Sequence, residues 1–155
     1  MRIHWSFGAA VVLALAWAFP ASADTPVKMA DLPAAVQKTV KEQSQGATIR
    51  GLSKEVEKGK TTYEAELRVN GHNKDITIDE TGTVIEVEEE VPIASVPAAA
   101  KEAIEKAAGK GKVLKVETVT HGNTLVAYEA VVQKTPGGKK SEVRVDPQGK
   151  PAPEQ

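Results

Sequence analysis

Thr61-Thr62-Tyr63-Glu64-Ala65-Glu66-Leu67-Arg68-Val69 is the stretch on which the fold of this chain turns. Tyr63, Ala65, Leu67 and Val69 fall on one face of an extended strand, and Glu64, Glu66 and Arg68 on the other. That alternation is the period of a half-buried antiparallel sheet. Asn70-Gly71 follows as a two-residue hairpin turn. Residues 75–79 return with Ile76 and Ile78 inward, and Asp79-Glu80-Thr81-Gly82 is a second turn. A further strand at 83–91 is expected to face Ile85 and Val87 inward and Glu86 and Glu88 outward. The strand before Thr61, at about 48–57, does not keep its apolar residues in one phase, which predicts a bulge, and the same holds for a later strand at about 113–120.

Ahead of these strands, Leu32, Val36 and Val40 recur at helical spacing, with Lys38, Lys41 and Glu42 on the opposite side. Asp31 is expected to cap this helix, with Pro33 in its first turn and Gly46 past its end. The whole unit then recurs. Leu32-Pro33-Ala34-Ala35-Val36 returns as Val96-Pro97-Ala98-Ala99-Ala100 at an offset of 64, and Tyr63-Glu64-Ala65 as Tyr128-Glu129-Ala130 at an offset of 65. Ile76-Thr77-Ile78-Asp79 matches Val143-Arg144-Val145-Asp146 at an offset of 67. The offset grows only where turns are expected, as it should in a repeated fold. Ser95 is the matching cap, Ala100, Ala103, Ile104 and Ala107 continue the second apolar stripe, and Gly109 ends it. No counterpart of the 83–91 strand precedes the end at Pro151-Ala152-Pro153-Glu154-Gln155. Tyr63 and Tyr128 sit in phase with the apolar faces and read as core anchors.

The fold class is therefore α+β: two tandem repeats, each with one helix packed on a three- to four-stranded antiparallel sheet. A unit of about 60 residues is marginal alone, so the two are expected to share a core or continue one sheet. The boundaries are 24–91 and 92–155, behind a leader at 1–23. In that leader Arg2 and His4 precede an apolar run from Trp5 to Phe19, and Ala21-Ser22-Ala23 supplies a small-x-small cleavage signature. The run is shorter than the ~20 residues that span a bilayer, so no membrane association is expected after cleavage, and the location is periplasmic or secreted.

Composition excludes several classes of function. Both tryptophans and both phenylalanines lie in the leader, and beyond it 19 basic residues face 21 acidic ones. Neither the charge nor the aromatic content suits nucleic acid. The chain has no cysteine, so there is no thiol site and no disulfide. His72 and His121 stand beside Gly or Asn in expected hairpin turns and read as solvated, and no metal-ligand spacing surrounds them. There is no Gly-x-Ser-x-Gly elbow and no phosphate-binding glycine loop. No catalytic residue, metal ligand or cofactor is assigned, and the chain reads as a binding module rather than an enzyme.

One feature stands out. Glu64, Glu66, Glu86 and Glu88 all face the polar side of the expected sheet. This is either a solvated face that discourages edge-to-edge pairing or a docking surface for a basic partner. A third reading is a site for metal ions or small cations. The second half differs: Glu129 is kept, the position matching Glu66 is Val131, and Arg144 adds positive charge. Glu64, Glu66, Glu86, Glu88, Glu129 and Arg144 are the candidate partner-binding residues.

Leu-Pro-Ala-Ala-Val, Tyr-Glu-Ala-Glu-Leu and Ile-Thr-Ile-Asp-Glu-Thr-Gly together resemble the PepSY-like domain family, in its beta-lactamase-inhibitor-like branch. The resemblance covers about 32–91 and 96–150, and its motifs are characteristic together and weak singly. It implies an exported protein with a helix on an antiparallel sheet that inhibits or regulates an extracytoplasmic peptidase, or binds another protein. The chain departs from the tandem beta-lactamase inhibitor in lacking its aromatic-rich concave face. No catalytic residue carries over, and the oligomeric state stays open.

Overall fold

The computed structural model describes residues 24–153, and the leader expected at 1–23 lies outside them. Eight strands form one antiparallel sheet in chain order: β1 (Thr25–Pro26), β2 (Thr48–Glu57), β3 (Lys60–Val69), β4 (His72–Asp79), β5 (Val84–Glu90), β6 (Lys112–His121), β7 (Thr124–Gln133) and β8 (Lys140–Val145). Helix α1 (Ala34–Gln43) precedes β2, and α2 (Ala98–Ala108) lies between β5 and β6. The order helix, then hairpin-linked strands, is thus met twice. The last half ends without a full fourth strand; a single bridge, Val145 to Pro151, stands in its place.

Two of the three hairpins of the first half, β3–β4 and β4–β5, follow from local chemistry. Asn70 and Gly71 adopt φ of 50° and 87°, the left-handed pair that a tight hairpin needs. At the β4–β5 turn, Asp79 Oδ1 accepts from the backbone N–H of Thr81 and of Thr83, each at 2.9 Å. Asp146 Oδ1 does the same for Gln148 and Lys150 at 2.9 Å each. Gly82 and Gly149 complete these loops at φ of 86° and 79°. Both press on the start of a helix. A Cβ on Gly82 would stand 2.9 Å from the carbonyl carbon and oxygen of Ala35, and one on Gly149 would strike the Ala99 carbonyl.

Both helices begin differently from the sequence expectation. Asp31 and Ser95 make no side-chain cap; each closes a short 3-10 turn, at Met29–Asp31 and Ile93–Ser95. Pro33 and Pro97 are the N-cap residues, with ψ of 145° and 144°. Proline suits that position because an N-cap is extended and has no N–H obligation to the helix.

The apolar stripes bury as the spacing predicts, except that the second ends on Ala108, and Ala107 is only partly buried. Leu32, Val36 and Val40 cluster with Tyr63, Ala65, Leu67, Ile76 and Ile78. Val96, Ala100, Ile104 and Ala108 cluster with Val116, Tyr128, Ala130, Val132 and Val145. Each Leu, Ile or Val so buried contributes about 1.5–3 kcal/mol. These are two cores, and the sheet is what unites them: β5 pairs with β6 from Val87↔Thr120 to Glu90↔Glu117. Of the two expected arrangements the chain takes the continued sheet, which also leaves neither half with an open inner edge.

Ile85 is a correction. It is 40 % exposed, and Val84 packs toward the core instead. The cause is a register shift in the β4–β5 ladder, where Thr77 pairs with Glu86 but Ile78 with Val84. One extra residue turns the start of β5 over. The bulges expected in the leading strands are present, between Ile49 and Gly51 in β2 and between Val113 and Lys115 in β6.

Candidate functional site: the uncovered face of the sheet

Alternation places every candidate residue on the sheet face away from the helices. Glu64 and Glu66 lie between the buried Tyr63, Ala65 and Leu67, and Glu129 lies between Tyr128 and Ala130. Register then lines them up across strands. Glu64 is opposite Thr77, which is opposite Glu86; Glu66 is opposite Asp75, which is opposite Glu88. Glu88 is opposite Val119, and Val119 is opposite Ala127. Beyond these, Glu117 pairs with Glu129, and Glu129 with Arg144. The six candidates therefore share one surface, with Asp75, Lys115, Glu117 and His121 among them.

The surface has two electrostatic regions. Toward β8, charges are matched. Arg144 Nη2 donates to Glu86 Oε2 at 2.8 Å, His121 Nε2 meets the same oxygen at 2.8 Å, and Arg144 Nη1 stands 3.8 Å from Glu129 Oε2. Burial pushes the Glu86 carboxyl up, but these partners outweigh it and hold it below the ordinary carboxylate range. His121 is thus a correction: it ends β6 and is part-buried against Glu86. His72, at the start of β4, is exposed as expected.

Toward β3, charges are not matched. Burial first, then Asp75, Asp24, Glu66 and Glu55, push Glu64 up to about 7. Burial and then Glu117 are the leading causes that push Asp75 up to about 6, with Lys115 opposing. Glu88 is pushed up to about 8, by burial first and then by Glu129, Glu86 and Glu117. Val119 and Ala127, 0 % and 1 % exposed, give Glu88 an apolar floor on this face. Lys115 is the main internal counter-charge. Burial pulls its pKa down, yet the hydrogen bond to Glu117 and the fields of Glu117, Asp75 and Glu88 raise it above the ordinary lysine value.

A cleft of about 620 Å³ opens in this region. Arg50, Glu64, Glu66, Arg68, Asn73, Asp75 and Lys115 are among the residues that line it. No helix lies over it, and its walls are polar. It can take a cationic side chain between Glu64, Glu66 and Asp75, with the guanidinium groups of Arg50 and Arg68 at its margin. Among the described residues no helix is long and apolar enough to cross a membrane.

Sequence reasoning missed Glu117, Lys115, Asp75 and His121. Glu117 and Lys115 lie in β6, whose bulge breaks the alternation that would have assigned them to this face. Asp75 was in phase with Glu66 and Glu88 once the hairpin register was drawn, so that pairing was the available signal.

A protein-family model described as "Putative beta-lactamase-inhibitor-like, PepSY-like" matches residues 16–86 and again 69–150. No curated protein matches the chain. Among solved structures, one described as a "putative periplasmic" protein of Bacteroides eggerthii is 21 % identical, with a TM-score of 0.61 over 80 % of this chain and 88 % of that one. A DUF2874 family protein of Bacteroides uniformis is 20 % identical, with a TM-score of 0.59 over 77 % and 85 %. A BLIP-like protein of Bacteroides fragilis is 22 % identical, with a TM-score of 0.51 over 78 % and 83 %. At such identities the likeness to these structures is one of fold. With the two family-model matches together spanning most of its length, the chain belongs to the beta-lactamase-inhibitor-like, PepSY-like family.

Proposed function

We propose that this protein is an exported binding module, periplasmic or secreted, that docks a partner protein through the uncovered face of its sheet and so inhibits or regulates an extracytoplasmic peptidase or related enzyme. In this reading residues 1–23 are a cleaved leader, and 24–91 and 92–155 are two tandem PepSY-like units. The role is one of binding rather than catalysis. The observation that carries the proposal is the unmatched half of the face: Glu64 and Asp75 line the cleft with Glu66, and both are pushed up by burial first and then by neighbouring carboxylates. A lysine or arginine entering the cleft would relieve both, so the partner surface is basic. Family membership and the periplasmic description of a similar fold support the extracytoplasmic setting.

Attraction of this kind speeds association and weakens with salt. The experiment is affinity capture from native extracytoplasmic extract, comparing wild type with a Glu64→Lys, Glu66→Lys double variant. A specific partner retained by wild type and lost by the folded variant supports the reading. Equal capture by both, or no specific partner, overturns it.

A further inference from the structure

Three carboxylates at the centre of the uncovered face stand closer together than their charges favour. One oxygen from each of Glu88, Glu117 and Glu129 lies within 4.8 Å of the others. They come from three adjacent strands, β5, β6 and β7. Glu117 pairs directly with Glu129, and Glu88 is two residues from Glu90, the other register partner of Glu117. The trio is therefore held by the ladder of the sheet and not by a loop.

A second observation concerns Glu117 alone. It is 1 % exposed. Its Oε2 takes Lys115 Nζ at 2.7 Å, while Oε1 is buried and has no hydrogen-bond partner. A buried carboxylate oxygen left bare in this way is costly, and here it belongs to the middle member of the trio. The neighbouring permanent cations are already engaged, Lys115 with Glu117 and Arg144 with Glu86 and Glu129. Four carboxylates, Glu86, Glu88, Glu117 and Glu129, thus face two fixed positive charges.

We propose that Glu88, Glu117 and Glu129 form a calcium site. The donors are all carboxylate oxygens, which suit a hard cation, and no sulfur or imidazole nitrogen joins the trio to favour zinc. Calcium–oxygen distances of about 2.3–2.6 Å put opposed ligands about 5 Å apart, so the trio fits within one coordination sphere without rearrangement. Magnesium gives up its water reluctantly, which disfavours it at a carboxylate as enclosed as Glu117. None of the trio lines the docking cleft, although Lys115 borders both, and the site does not depend on that reading.

The test is calorimetric titration of chelator-treated, purified protein with calcium chloride, paired with the thermal midpoint. One calcium per chain is expected, with a Kd of about 10⁻⁴–10⁻³ M, as in extracellular calcium modules. Glu117→Gln and the less buried Glu88→Gln should each weaken binding by at least ~10-fold. A Glu64→Gln, Glu66→Gln double variant should keep its affinity within about threefold, since those residues act only through screened distance. Three results would overturn the proposal. One is no heat and no rise in midpoint up to about 10 mM calcium, well above the weakest such sites. Another is calcium binding unchanged in both Glu88→Gln and Glu117→Gln. The third is uptake of zinc in preference to calcium.

Discussion

Glu88→Gln should make the metal-free protein more stable, and by an amount that depends on pH. In the fold Glu88 is pushed up from 4.5 to about 8. The folded protein therefore takes up a proton that the unfolded chain gives away at neutral pH. The sign follows from linkage. Below about 4.5 both states carry the proton and Glu88 costs nothing. As pH rises the unfolded state loses its proton first, and stability falls until the folded carboxyl also ionises near pH 8. Each tenfold difference in proton affinity between the two states is worth about 1.36 kcal/mol, so the full cost at pH 7 would be about 3 kcal/mol. Glu88 is half-buried and still meets water, which reduces this to about 1–2 kcal/mol. Glutamine keeps the shape and never ionises. Thermal unfolding followed by circular dichroism, in chelator, at pH 4, 7 and 8.5 or so, should show the two proteins nearly superimposed in acid. The variant should melt ~3–8 °C higher at neutral pH. A gap that stays constant with pH, or a variant less stable throughout, would refute the reasoning, since it would mean that the carboxylate has a stabilising partner.

Two other substitutions probe the frame that holds the face. Gly82→Ala and Gly149→Ala should each cost about 2–4 kcal/mol in urea unfolding, from the left-handed backbone and the collision with Ala35 or Ala99; losses under 1 kcal/mol would contradict the close approach of turn to helix. Arg144→Met should cost about 3 kcal/mol, because Glu86 and Glu129 lose their shared guanidinium. Adding Glu86→Gln should recover part of that loss, and a double variant no better than the single would show that the pairing matters little.

The sheet was legible because its signals are local. Tyr63 to Val69 alternates without interruption, and Asn70-Gly71 admits little besides a tight hairpin. The helical stripes were legible for the same reason, with Val36, Val40, Ala100 and Ile104 all reaching 0–1 % exposure. What escaped was set by pairing between strands. Ile85 was misplaced because a bulge in the β4–β5 ladder turns its strand over, and nothing within residues 83–91 signals that. Asp31 and Ser95 have cap-forming side chains, but the 3-10 turns ahead of each helix consume their geometry. The acidic face was found in outline through Glu64, Glu66, Glu86 and Glu88. Its buried centre, Glu117, lies in a strand whose phase breaks at the bulge between Val113 and Lys115. His121 looked like a turn residue and is instead Glu86's neighbour, a contact made only when β5 and β6 join.

Zero-length carbodiimide crosslinking of the captured complex, followed by peptide mapping, tests the docking face most directly, because it joins carboxylates only to amines in contact with them. Crosslinks from partner lysines to Glu64, Glu66 or Asp75 are the predicted result. Crosslinks confined to the helix side, at Glu42, Glu102 or Glu105, would place the partner on the opposite surface and contradict the account.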